Sequence, residues 1–306
     1  MKPLVAVTVL ATASGCLAPL PGWWTHLTTP DPTPPQRIEA PPTPPEEPPA
    51  ADPRPRIPPM ALVPKAFPLP IGPDAYRYPG GWVTLGWSVE GRPIRCLLMG
   101  EGPKLIVVIG AIHGDEPVGA PLVRLLARRL EAQPELLEGR QVALIPVANP
   151  DGLAHGARLN ARGRDINRNW PSDNWIPGER RGPRPLSEPE TRALYHLIGN
   201  RRPHRIVALH QPFIGVNWDG PAGRLARKIS RVSGLPRLEM RERRGSIGAY
   251  AGRDRDVPVL TLELPQRAAN MRTEELWRRY GKALLWSITW PNAPDQNLST
   301  AAVSQP

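Results

Sequence analysis

The chain has 306 residues, of which 43 are proline, and a formal net charge of +11. Twenty of those prolines fall between Pro19 and Pro73, in a stretch with almost no periodic apolar residues. Such a stretch cannot bury enough surface to offset its ordering entropy, so the globular part is confined to about residues 76–290 and a two-domain enzyme is excluded. Residues 1–60 hold four basic and five acidic side chains, which leaves +12 on the rest. No zinc finger, RNA-binding aromatic signature or basic heptad accompanies that charge, which argues against a nucleic-acid partner.

In chain order, Lys2, the apolar run 4–13 and the small residues Ala13, Ser14 and Gly15 before Cys16 form an export signal too short to span a bilayer. Cysteine in that place resembles a bacterial lipoprotein signal. Residues 1–16 are then the signal segment, with Cys16 lipidated, and 17–75 a proline-rich disordered linker. Leu17 in place of Asp points to the outer membrane, with the domain lipid-anchored in the periplasm. An ordinary signal peptide cut near Ala18, giving a soluble periplasmic or secreted domain, is the alternative. Cys96, in the strand-like run Arg-Cys-Leu-Leu-Met at 95–99, reads as a buried inert thiol, since two cysteines build no disulfide framework.

Two strand-like runs around the turn Glu-Gly-Arg-Pro at 90–93 predict a hairpin over 82–99. Residues 104–110 form a continuous β-branched run, and 117–130 carry apolar residues at helical spacing after Pro117. A buried strand is expected at 141–147. It is followed by a long irregular stretch, 149–186, rich in Gly, Asn, Arg and Pro. Ser187 as N-cap with Glu190 three residues on predicts a capping box opening a helix over 187–198. Further strands are expected at 204–210 and 257–264, helices at 221–233 and 273–290, and a disordered tail at 291–306. Alternating strands and helices imply one α/β domain over 76–290, with a sheet covered by helices on both faces. A loop of this length inside such a domain is more often functional than not.

His113 and Glu116 stand three apart just after a predicted buried strand, and His210 ends another, 94 residues beyond Glu116. Ligands at the carboxyl ends of two strands can converge above a sheet, and two His with one carboxylate is a common catalytic zinc set. Taken alone, His-x-x-Glu is a weak signal. His26, His155, His196 and His204 lack a comparable setting and read as surface or packing residues. The long loop adds Asn-Pro-Asp-Gly at 149–152 and Asp165-Ile166-Asn167-Arg168-Asn169-Trp170. With these, the sequence resembles the zinc carboxypeptidase family across roughly residues 77–288, and the run Gly-Trp-Ser-Val-Glu-Gly-Arg-Pro-Ile at 86–94 is similar to that family's opening hairpin. Within the family it is most similar to the bacterial murein peptide amidase type. That likeness lies in His-Gly-Asp-Glu-Pro at 113–117, Ser-Glu-Pro-Glu-Thr at 187–191, Asp-Gly-Pro at 219–221, Gly-Ser-Ile-Gly at 245–248 and Thr-Leu-Glu-Leu-Pro at 261–265.

The resemblance implies a mixed central β-sheet and one zinc ion per chain on His113, Glu116 and His210. It makes Glu263 the general base. A carboxylate at the mouth of an otherwise apolar strand is costly without work or a partner, although an edge-strand Glu facing solvent is the competing reading. It gives Arg158 a share of the developing oxyanion, Asn167 and Arg168 the clamp on a free carboxylate, and Asp165 the second ring N–H of a zinc-bound His, His113. The family's mobile tyrosine has no secure match. Tyr250 lies in the right region and is taken as a pocket-lining candidate. The implied activity is hydrolysis of peptidoglycan-derived peptides at the amide between the γ-carboxyl of D-glutamate and meso-diaminopimelate, with the membrane met only through the lipid on Cys16. Alternatives are a carboxypeptidase for other peptides, a deacylase like succinylglutamate desuccinylase, or a catalytically dead wall-binding lipoprotein.

Overall fold

The structure, a computed structural model, describes residues 81–240 and 243–292. The expected signal, Cys16, the linker 17–75 and residues 293–306 lie outside the described residues. The first two strands, β1 (Trp82–Trp87) and β2 (Pro93–Met99), form the expected antiparallel hairpin, with Trp82 opposite Leu97. Five more strands follow: β3 (Lys104–Ile109), β4 (Arg140–Ile145), β5 (Arg205–His210), β6 (Gly215–Asp219) and β7 (Val259–Glu263). The seven-stranded sheet runs β1-β2-β4-β3-β5-β7-β6. Its central strands β4, β3, β5 and β7 are parallel, while β2 and β6 join them antiparallel, so the sheet is mixed.

Parallel strands are buried on both faces, which is why β3 and β5 read as nearly unbroken apolar runs. Ile106 and Val108 of β3 face one layer of helices, α1 (Gly119–Ala132), α4 (Gly223–Ser233) and α5 (Thr273–Thr289), through Leu122, Leu126, Ile229 and Leu284. Leu105, Val107 and Ile109 face the opposite layer, where α3 (Pro189–Arg201) supplies Leu194 and Ile198 and the long loop supplies Trp170. Each such burial contributes roughly 1.5–3 kcal/mol, which fixes sheet and helices before any polar group is placed. Among the described residues, no helix is long and apolar enough to cross a membrane.

Three elements differ from expectation. The stretch 149–186 contains a short helix, α2 (Pro150–His155), with Asn149 as its N-cap: the Asn149 side chain accepts the Gly152 N–H at 2.9 Å. Strand β6 was not anticipated. Its five residues alternate, with Val216 and Trp218 between Gly215, Asn217 and Asp219, but the run is short and pairs with β7 at the sheet's edge. The outer edge of β6 is covered by residues 236–238, since Val216 donates to the Pro236 carbonyl at 2.7 Å and Leu238 donates back to Val216 at 2.9 Å. The capping box is the third. Helix α3 begins at Pro189, after Glu188, with no side-chain cap. Ser187 Oγ donates to Glu188 at 2.7 Å, and Glu190 accepts instead from the Val89 N–H at 3.2 Å and from Asn160 at 3.0 Å.

The loop itself is ordered by buried amide side chains. Asn169, fully buried, donates to the carbonyls of Arg181 (2.7 Å) and Arg184 (3.0 Å) and to Ser187 Oγ (2.9 Å), and accepts the Glu188 N–H at 3.0 Å. Asn160 accepts the N–H groups of Arg162 and Arg164 and donates to Glu188 and Glu190. Asp151 ties α2 to the hairpin turn through Ser88 Oγ (2.6 Å) and the Glu90 N–H (2.9 Å). The chain passes from β3 to β4 on one side and from β5 to β6, beyond β7, on the other. Neighbouring β3 and β5 therefore part at their carboxyl ends, where a crevice opens.

Candidate metal centre

His113 enters that crevice on the turn after β3. Ala111 there adopts φ 42°, a left-handed backbone that costs a residue with a Cβ roughly 1–2 kcal/mol. Its carbonyl accepts the Asn149 N–H at 3.0 Å, which fastens the turn to the exit of β4. Gly114 makes the turn possible, because a Cβ there would run into the Gly152 backbone of α2. From β5, His210 meets His113 with ring centroids 4.9 Å apart.

Glu116 lies between the two rings. His113 Nδ1 is 2.8 Å from Oε1 and His210 Nδ1 is 2.7 Å from Oε2. One nitrogen from each ring and one carboxylate oxygen lie within 4.8 Å of one another. The three side chains are 1, 4 and 5% exposed in the order His113, Glu116, His210. Burial alone would push the Glu116 carboxyl up, yet the hydrogen bonds from His113 and His210 hold it well below the usual carboxylate range. Burial likewise opposes charge on His113, and the hydrogen bonds to Asp165 and Glu116 outweigh it and raise its pKa. Two imidazole nitrogens and a carboxylate, already aimed at one another and shielded from water, suit a divalent cation such as zinc in the place of the shared protons.

Asp165 stands behind His113, with Oδ1 3.2 Å from Nε2 and also accepting the Asn167 N–H at 2.9 Å. Arg158 enters the site across two carboxylates. It donates to Glu116 Oε1 at 2.8 Å, and its second terminal nitrogen lies 3.7 Å from Asp165. Asn167 lines the adjoining cavity and is held by its Oδ1, which accepts the Ile247 N–H at 3.0 Å. Arg168 folds back to donate to the Asn167 carbonyl at 2.6 Å.

Glu263 is 1% exposed and ends β7, an interior strand between β5 and β6, which removes the solvent-facing edge reading. It pairs in register with His210, so both side chains share one face of the sheet. Its Oε2 has no hydrogen-bond partner, an uncommon state for a buried carboxylate, and burial raises its pKa. Tyr250 does not line the cavity. It is 2% exposed, packs on Trp170 and Tyr195 with ring centroids at 5.4 and 5.5 Å, and turns its hydroxyl toward Gly199. The π-helical turn Gly248–Arg253 rotates it into the core. The cavity wall is made instead by residues given no role from sequence, notably Asn217, Asp219 and Arg243. The motifs around Asp219 and Gly245 were the available signal, but neither tells which way a side chain points.

A buried N, O, N donor set next to a carboxylate with one unpartnered oxygen, at a sheet's switch point, defines a metallohydrolase centre. Residues 77–213 match the sequence model of the zinc carboxypeptidases. The chain is 29% identical to murein peptide amidase A of Escherichia coli strain K12 over 231 residues, 68% of this chain and 91% of the relative. It is 30% identical to murein peptide amidase A of Vibrio campbellii over 212 residues, 63% of this chain and 82% of the relative. The crystal structure of murein-tripeptide amidase MpaA from Escherichia coli O157 aligns with a TM-score of 0.57 at 27% identity, covering 71% of this chain and 95% of that one. The chain belongs to the zinc carboxypeptidase family, and it is a zinc metallopeptidase of that fold.

Proposed function

We propose that the protein hydrolyses peptidoglycan stem peptides at the amide between the γ-carboxyl of D-glutamate and meso-diaminopimelate. It does so outside the cytoplasm, held by a lipid on Cys16. One observation carries the chemistry: His210 of the donor set, Glu263 with its unpartnered Oε2, and Asn167 line one cavity. Likeness to murein peptide amidases over most of their length supports the choice of substrate.

His113 and Glu116 from the turn after β3, and His210 from β5, would hold the zinc. Bound there, the ion supplies a Lewis acid that makes water a better nucleophile and polarises the scissile carbonyl. Glu263 takes one proton from the attacking water and passes it to the leaving amine as the C–N bond breaks, while the hydroxyl stays on the carbonyl carbon. Arg158 sets a fixed positive charge beside the donor set, where the carbonyl oxygen gains negative charge. Asn167 and Arg168 hold the free α-carboxylate of the leaving residue, which limits cleavage to chain ends. Asp165 keeps the His113 ring oriented. Excess positive charge in the domain suits substrates that carry several carboxylates.

Mass spectrometry of defined murein tripeptide and tetrapeptide after incubation with the zinc-loaded protein tests the reading. Release of meso-diaminopimelate from the tripeptide is the expected result. Loss of a C-terminal D-alanine from the tetrapeptide would make the enzyme an ordinary carboxypeptidase, and no reaction would remove the murein assignment. Incorporation of labelled palmitate, abolished in Cys16→Ser, tests the anchor.

A further inference from the structure

A cavity of about 440 Å³ lies outside the metal centre, between the opening hairpin and α1. One wall comes from the hairpin. Trp82 pairs with Leu97, and Arg95 is two residues from Leu97, so all three share the face of the sheet that Leu97 buries in the α1 layer. Trp82 is 43% exposed, one of four large apolar side chains open to solvent among the described residues. Helix α1 supplies the second wall through Arg124, and α2 closes the end with Pro150, Leu153 and Ala154. At 100° per helical residue, Pro150 and Ala154 lie on the far side of α2 from Gly152, whose backbone abuts Gly114 of the ligand turn. The cavity and that turn are thus on opposite sides of α2, ~10 Å apart, the width of one helix.

The charge of this cavity is one-sided. Arg92, Arg95 and Arg124 line it, and no acidic side chain does. Arg92 is already neutralised, because it donates to Asp151 at 2.7 Å and to Glu90. Arg95 and Arg124 are exposed, and among the described residues their guanidinium groups make no hydrogen bond and no ion pair. The floor between them is apolar, built from Pro93, Pro146 and Val147. Two unpartnered cations beside an apolar floor and an open indole fit a ligand that carries carboxylates on aliphatic arms.

We propose that this cavity is a second binding site, which takes the carboxylates of a neighbouring stem peptide on Arg95 and Arg124 and its aliphatic parts on Trp82 and the floor. The proposal rests on the substrate reading above, in which one polymer presents many such peptides. A stem peptide held at the zinc brings its neighbours within reach of a cavity one helix away, so the second contact is intramolecular. Two weak contacts on one polymer then hold as one strong contact. A free tripeptide gains nothing from the second site.

The test uses zinc-loaded full chains with Cys16→Ser, so that no lipid contributes, and Glu263→Gln, so that nothing is cut. Dissociation constants are measured for murein tripeptide and for soluble, uncrosslinked peptidoglycan strands, both expressed per stem peptide. Strands should bind about tenfold more tightly than tripeptide, and added salt should shrink that advantage. Adding Arg95→Gln and Arg124→Gln should remove it, with tripeptide affinity and zinc content unchanged. With Glu263 restored, the double variant should cut tripeptide at the parent kcat/KM and strands about tenfold more slowly. Strand binding that survives the double substitution, or a parallel loss for tripeptide, overturns the second site. So does an arginine pair that controls binding to vesicles of phosphatidylglycerol and phosphatidylethanolamine instead of strands, which would make the cavity a membrane contact. A protein that neither binds nor cuts tripeptide, yet holds strands through Arg95 and Arg124, would lose the substrate reading and keep the second site.

Discussion

The two faces of the sheet are held by different forces. On one side, α1, α4 and α5 bury leucine and isoleucine stripes against β3, β5 and β7. On the other, a single long helix shares the surface with the loop 156–188, and amide and carboxylate side chains such as Asn160, Asn169, Glu188 and Glu190 take over from backbone ladders. Apolar burial is non-directional, so the first face is set by volume and pattern. Hydrogen bonds between named partners are directional, so the second face is set by identity. The zinc ligands enter from strand ends common to both layers, but Asp165, Asn167, Arg158 and Arg168 all come from the polar side. A region that places charges to a fraction of an ångström has to be built from directional contacts.

Substitutions can break or sharpen this contrast. His113→Ala removes a donor and should abolish zinc binding and turnover together; a metal-free active protein would end the zinc reading. Glu263→Gln is expected to keep about one zinc per chain while kcat falls ~10²–10⁴-fold, and wild-type turnover would remove its role as base. On the helical face, Leu126→Ala should cost ~2–5 kcal/mol, read from the denaturant midpoint, with activity per folded molecule preserved. Asn169→Ala leaves the Arg181 and Arg184 carbonyls without their donor and should cost roughly 1–3 kcal/mol. Its signature is local: faster hydrogen exchange over 165–188 and lower kcat/KM, with the helices of the other face unchanged. Uniform loss of protection across the sheet would show that the two faces are one cooperative unit. The smallest effect belongs to Cys96, fully buried on β2, whose thiol burial pushes up to about 12. In a Cys16→Ser background it should resist thiol reagents until the protein unfolds.

The same contrast separates what was legible in the sequence from what was not. β3 and β5 announce themselves because burial on both faces leaves no polar residues inside the run, and β7 has only Thr261 there. α1 and α5 show helical spacing for the corresponding reason. His113, Glu116 and His210 could be picked out because ligands at strand ends combine short spacing with a recognisable neighbourhood. The loop could not be folded by eye. Glu190 bonds to Val89, 101 residues away, and that competition defeats the local capping pattern at Ser187. Tyr250 was misplaced because a position near a motif does not reveal side-chain direction, which a π-helical turn changes within one residue. Asp219 stayed without a role because a five-residue edge strand is too short a signal to place its side chains, and Arg243 because it lies outside the strands and helices altogether.

Strand β6 has a consequence for how such an enzyme can change. The reacting groups sit on the ends of parallel strands, each locked by neighbours on both sides, whereas Asn217 and Asp219 sit on the outermost strand, sealed by a short strap at 236–238. That part of the cavity wall therefore rests on a strand with a single neighbour in the strand order. Substitutions there would reshape the cavity while the register between His210 and Glu263 stays as it is.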